Sequence, residues 1–178
     1  MSDAPVVLER IFGEAADRFF ADHYERAPLV AHHGDPGRFA DLLTLDRLDR
    51  RLAELDLRDG MVELTNARSP VSRADYVNDG GAIDRVALSR GYRRGATVIV
   101  NQLQHSDKPL ADMCRALEGV FHCHVQTNVY LTPPGEQGFR THYDTHDVIV
   151  LQIHGRKAWN LYPDPADAPY RGERFQAA

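Results

Sequence analysis

Gln126-Thr-Asn-Val-Tyr-Leu-Thr-Pro-Pro-Gly-Glu-Gln-Gly-Phe-Arg-Thr-His-Tyr-Asp-Thr-His-Asp-Val-Ile-Val-Leu-Gln-Ile-His-Gly-Arg-Lys-Ala-Trp-Asn-Leu-Tyr162 is the stretch on which the reading of this chain turns. Its first residues alternate: Gln126, Asn128 and Tyr130 fall on one side of an extended segment, and Val125, Thr127, Val129 and Leu131 on the other. Such a polar row suits the wall of a wet cavity. Pro133-Pro134-Gly135 then forces a turn. Two β-prone runs follow, at 147–153 and 157–162, joined by His154-Gly155-Arg156 as a tight hairpin connection. Lys157, Trp159 and Leu161 share a face of the second run. An ammonium inside a mostly apolar barrel needs an anion, and a ligand carboxylate would provide one. Taken alone, however, a lysine at a hairpin edge more commonly keeps its head in water.

Between the turn and the first of these runs lies His142-Tyr143-Asp144. Residues i and i+2 of an extended segment point to the same side, so a short strand can deliver an imidazole and a carboxylate to one ion. Two His and one carboxylate make the facial set that holds non-heme Fe(II) with positions left open. The His-x-Asp pattern is weak by itself, since nine His and 18 Asp in 178 residues give about 0.9 matches by chance. The sequence has three. His33/Asp35 lies in the turn Gly34-Asp35-Pro36-Gly37, and His105/Asp107 precedes a helix that Asp107 or Ser106 can cap. Only His142/Asp144 stands where a strand end could open into a barrel.

Outward from this stretch, β-prone runs occur at 61–65, 97–103 and 125–132, with a helix predicted over 110–120. Before residue 60 the pattern is helical. Leu8, Ile11 and Phe12 form a short apolar face, and 14–24 continues helically with Phe19, Phe20 and Tyr24 as core until Pro28 interrupts it. Leu45, Leu48, Leu52 and Leu55 make one stripe of a helix that Thr44 can cap, with Asp46, Arg47, Arg50 and Arg51 toward water. The expected fold class is α+β, mainly β. A helical region at 1–60 leads into a single antiparallel unit at 61–178, a jelly roll or barrel with helical decoration.

Composition sets the bounds. A chain of 178 residues with 43% hydrophobic and 26% charged residues can bury a core. A formal charge of −5 gives no reason to expect nucleic acid or a membrane surface as partner. The sequence shows no apolar run long enough for a span and no signal-peptide pattern near Met1, so the cytoplasm is the expected location. Cys114 and Cys123 do not make a disulfide framework. His122-Cys123-His124 lacks further ligands spaced to complete a zinc site and reads as a polar strand start. Only Lys108 and Lys157 are lysines, against 19 arginines, so a role that favours a compact ammonium has two candidates.

The stretch 126–162 resembles the core of the JmjC-type cupin family that includes the ribosomal oxygenases. Phe19-Phe-Ala-Asp-His-Tyr-Glu-Arg-Ala-Pro-Leu-Val30 and Gly95-Ala-Thr-Val-Ile-Val-Asn-Gln-Leu103 are similar to that family too, so the likeness covers most of the chain. The resemblance implies a double-stranded β-helix and Fe(II)- and 2-oxoglutarate-dependent hydroxylation of a side chain on a protein substrate, in known members a ribosomal protein. By position, His142 and Asp144 resemble the first two iron ligands. Lys157 resembles the lysine that pairs with the distal carboxylate of 2-oxoglutarate, and Asn128 and Tyr130 match polar residues lining the co-substrate pocket. His146 is either a donor behind the metal ligands or a plain surface residue, and Asp147 is open in the same way. A homodimer is the family's implied assembly.

The resemblance also implies a third ligand, a His on a later strand. No His follows Lys157, and His154 belongs to the hairpin. The expectation is therefore a jelly roll incomplete at its C-terminal end with a half-complete site. The alternative from another class is an inactive cupin fragment that binds a ligand or partner. A metal-dependent sugar isomerase is a third reading, and Lys157 with the Asn128/Tyr130 face suits a dicarboxylate better.

Overall fold

A computed structural model of the chain describes residues 5–162. Four α-helices, α1 (Val6–Phe12), α2 (Leu45–Glu54), α3 (Arg85–Arg93) and α4 (Lys108–Phe121), accompany three strands, β1 (Val62–Thr65), β2 (Thr97–Val100) and β3 (Val129–Leu131). The α+β class stands, with an antiparallel sheet consistent with part of a jelly roll. The chain divides into two compact units: 1–49, 104–127 and 151–155 in one, and 50–103, 128–150 and 156–178 in the other. No helix among the described residues is long and apolar enough to cross a membrane.

The first unit is helical. Its core joins Leu8 and Ile11 of α1 to Ala16, Phe19 and Leu117, with Phe12 and Phe121 packed against them. Phe12 stacks on Phe19 at 4.3 Å, and the Phe121 ring meets Phe19 edge-on at 6.0 Å. Phe19 is core as expected, whereas Phe20 is 45% exposed. The stretch 14–24 is helical but not α-helical: Gly13, at φ +57°, stops α1, and a 3₁₀ turn (Gly13–Arg18) and a π turn (Phe19–His23) follow. The chain leaves that helix at Glu25, whose φ is +55°, before Pro28 is reached.

Two capping expectations are met in this unit. Thr44 Oγ1 accepts from the Arg47 backbone N–H at 3.2 Å, and Asp107 is the N-cap of α4, accepting from Leu110 N–H at 3.4 Å. Leu110, Cys114 and Leu117, spaced i, i+4 and i+7, are the buried stripe of α4. Arg47 corrects the sequence reading. It does not face water but makes a two-pronged ion pair with the fully buried Asp107 carboxylate. The partner lies 60 residues away, which no helical periodicity could reveal.

The second unit is built on the sheet, in the order β1-β2-β3, all antiparallel. Thr97 to Val100 are all buried, as a central strand requires. Val62, Leu64, Val98, Val100, Val129 and Leu131 share the face that α3 supports, because directly paired residues lie on one side. Gly91 of α3 lets the helix come close: a Cβ there would lie 2.5 Å from Leu64 Cδ1. Helix α3, with Asp84 as its N-cap, is not among the elements that the sequence predicts.

The runs at 147–153 and 157–162 enter no ladder, so the expected hairpin strands are not formed among the described residues. Gly155, at φ +70°, still makes the turn between them. Val148, Val150, Trp159 and Leu161 are each at least half exposed, and β-propensity yields a strand only where a neighbouring strand and an apolar layer reward it. The segment 170–178, on which the expectation of missing strands rests, lies outside the described residues, as do the first four residues.

Candidate functional site

The second face of the sheet carries Glu63, Thr65, Thr97, Ile99 and Tyr130. Tyr130 is exposed while its neighbours Val129 and Leu131 turn to the other side, as read from the sequence, but Gln126 and Asn128 of the same row precede β3 and are not in the strand. The segment that bears the His142-x-Asp144 pair is tied to this sheet. Ala67 N–H donates to the Gln137 carbonyl at 2.9 Å, Thr65 Oγ1 donates to the Gly138 carbonyl at 3.1 Å, and Arg140 Nε donates to the Ala67 carbonyl at 3.1 Å. Gly138 is buried so closely against Thr97 that a Cβ would lie 2.7 Å from Thr97 Oγ1, itself hydrogen-bonded to Thr132.

Along this tether the rings run in series. Tyr130 meets Phe139 edge-on at 5.9 Å, and Phe139 meets the His142 imidazole at 5.3 Å. His142 Nδ1 lies 2.6 Å from the Arg140 carbonyl oxygen. A carbonyl can only accept, so Nδ1 is the donor, and in the neutral ring this leaves the lone pair on Nε2, the form of imidazole a metal requires. Asp144 is exposed and makes no ion pair among the described residues.

Lys157 joins the same cluster. Its Nζ sits 5.8 Å from the Tyr130 ring centroid and 4.9 Å from that of Trp159. The residue is exposed overall, yet partial burial of its head group pulls the ammonium below the ordinary lysine range. Asn128 is committed in part: its Oδ1 accepts from Gln102 N–H at 3.1 Å, bracing a residue at φ +51°, which leaves the side-chain N–H₂ for a ligand. His146 and Asp147 are exposed.

Tyr130, Phe139, His142 and Lys157 are thus brought together in one unit, and Phe139 is the member that sequence reasoning missed. The donors fit two positions of a facial Fe(II) set, one imidazole and one carboxylate two residues apart. No group of three His, Cys, Asp or Glu side chains is assembled among the described residues. The other candidates have structural uses. His33 Nε2 bonds the Ile11 carbonyl at 2.8 Å, and Asp35 Oδ1 accepts from Gly37 N–H. His122 is the left-handed C-cap of α4, and His124 Nδ1 lies 3.3 Å from Glu118. A separate open cleft of about 330 Å³ beside α3, lined by Arg90, Arg94 and Asp75, contains none of the predicted site residues.

The second unit thus carries a sheet face with a tethered His-x-Asp segment and a lysine beside it. Residues 99–176 match the JmjC domain family. The chain is also 32% identical over 156 residues to the bifunctional lysine-specific demethylase and histidyl-hydroxylase NO66 of Drosophila persimilis, covering 85% of this chain and 22% of that protein. The proteins of the same name from Drosophila grimshawi and Culex quinquefasciatus are 34% and 33% identical, over 84% and 82% of this chain. The chain spans about a fifth of the length of these relatives, 21% and 22% for the last two.

Proposed function

We propose that this chain carries the co-substrate and metal-binding part of a 2-oxoglutarate- and Fe(II)-dependent oxygenase that hydroxylates a protein side chain, with 1–60 as its helical N-terminal region and 61–178 as cupin sequence. The observation that carries the reading is the tethered cluster, a metal-ready His142 joined through Phe139 to the Tyr130 ring that Lys157 overhangs. His142 Nε2 and Asp144 would hold the metal, which when bound supplies oxygen activation for the coupled conversion of 2-oxoglutarate, O₂ and a C–H bond to succinate, CO₂ and a C–OH. Lys157 would pair with the distal carboxylate, an interaction that favours the charged ammonium and offsets its desolvation. Tyr130 would flank the dicarboxylate with its hydroxyl, and Asn128 would donate from its free amide. The activities in the relatives' names, demethylation of lysine and hydroxylation of histidine, suggest a methyl-lysine or histidine side chain as the target, and the bearer we expect is a ribosomal protein in the cytoplasm.

The test incubates the chain with Fe(II), 2-oxoglutarate and a pool of ribosomal proteins. Fe(II)-dependent binding of 2-oxoglutarate is expected, lost in His142→Ala and retained in His105→Ala, with succinate and a mass gain of one oxygen on a protein expected only where a third ligand completes the facial set. Binding of 2-oxoglutarate with no succinate in any condition would leave the binding-module reading in its place.

A further inference from the structure

Phe139 has no task in the reading above, yet it lies between two residues that do. Its centroid is 5.9 Å from that of Tyr130 at an interplanar angle of 70°, and 5.3 Å from that of His142 at 49°. The backbone on either side is held. The carbonyls of Gln137 and Gly138 accept from Ala67 and Thr65, Arg140 reaches back to Ala67, and Gly138 is pressed on Thr97. Gln137 Nε2 also donates to the Phe139 carbonyl at 2.8 Å. The backbone under the ring is thus fixed, and the ring itself, 40% exposed, is placed by its contacts with Tyr130 and His142.

His142 is less constrained. It is exposed, and its one hydrogen bond runs to a carbonyl only two residues back. That bond selects the tautomer only while the ring keeps its present rotamer. Phe139 is an aromatic ring in direct contact with the imidazole. An aromatic pair of this kind biases a rotamer population by roughly two- to tenfold, enough to decide between a ring held in one pose and one that samples several.

We propose that Phe139 is a positioning residue: wedged between Tyr130 and His142 on a segment pinned to β1, it holds the imidazole with Nδ1 on the Arg140 carbonyl and Nε2 presented for metal. The same ring couples Tyr130 to His142, so the co-substrate wall and the metal ligand are set by one side chain. The proposal rests on the reading of His142 as a ligand.

The experiment uses the full chain labelled with ¹⁵N and ¹³C, compared with Phe139→Ala, Phe139→Leu, Phe139→Tyr and His142→Ala. Two quantities are read: the His142 ring nitrogen shifts without metal, and the affinity for Zn²⁺, a diamagnetic probe, followed at His142. Phe139→Ala and Phe139→Leu should mix the two tautomers and weaken zinc at His142 by roughly tenfold, while Phe139→Tyr retains both properties. Amide shifts of Ala67 and Gly138 show whether the tether survives, and leucine keeps the bulk should alanine loosen it. An unchanged tautomer and affinity in both the alanine and leucine variants overturns the proposal. If zinc does not perturb His142 in the parent chain, the metal assignment fails by itself, and the metal-free tautomer comparison still decides whether Phe139 orients the ring.

Discussion

Two stretches of this chain carry the same His-x-Asp spacing and use it differently. At His105-Ser-Asp107 the carboxylate is fully buried, caps α4 and is gripped by Arg47. At His142-Tyr-Asp144 the carboxylate is exposed, and the imidazole is fixed by a carbonyl that leaves Nε2 its lone pair. Spacing is the same in both. What separates them is whether the carboxylate is enclosed by the fold: one that is fully buried in an ion pair and a helix cap cannot face an incoming ion, whereas one exposed to solvent can.

The largest expected effect breaks the comparison on its structural side. Asp107→Ala strands Arg47 against a buried surface and removes a cap, which should cost about 3 kcal/mol of stability, whereas Asp144→Ala should stay within about 0.5 kcal/mol of the parent. Urea titrations of the two variants read this directly, and equal losses would mean that the two motifs do the same work. Next in size is Lys157→Ala, which should weaken 2-oxoglutarate binding by about 1.5–3 kcal/mol through loss of a charge-assisted contact. Calorimetry checks it, and Lys157→Arg should rescue poorly because a planar fork aims its donors differently. Gly138→Ala should cost about 1–2 kcal/mol, since the added methyl meets Thr97 Oγ1. The same variant should loosen the 137–142 tether without touching the Asp107 site, so amide exchange should rise at Ala67 and remain unchanged at Leu110.

The smallest effect is chemical. Cys114 is buried against Thr127, with its thiol pushed above the ordinary range chiefly by desolvation, while Cys123 is exposed. A raised thiol pKa means less thiolate at any given pH, so alkylation near pH 8 should mark Cys123 and spare Cys114, and equal rates would show that the helical unit opens readily.

Local signals in the sequence were legible where their cause was local. The helix α2 with Leu48 buried and Thr44 as its cap, the Asp107 cap of α4, the turn at Asp35 and the three paired strands follow from neighbours a few residues apart, although Leu45 of the expected stripe is exposed and Leu55 lies past the helix end. Arg47 escaped because its partner is remote in sequence, and so did the tether, whose Gly138–Thr97 approach and backbone bonds to Ala67 leave no periodic trace. The runs at 147–153 and 157–162 have strand composition without ladder partners among the described residues, so propensity overstated them. At the site, the side on which Tyr130 falls was legible from alternation, whereas Lys157 was singled out by the resemblance, since its hairpin pattern alone favours solvent; Phe139 was not legible, because an aromatic beside a turn reads as ordinary packing.

The central claim is that His142 and Asp144, and not His105 and Asp107, hold the metal. Titrating ¹⁵N-labelled chain with substoichiometric Mn²⁺ and following paramagnetic broadening residue by residue tests it most directly. Broadening centred on 142–144 and extending to Tyr130, with 105–107 left sharp and the effect abolished by His142→Ala, is the predicted result. Broadening centred on 105–107, or a pattern indifferent to His142→Ala, would contradict it.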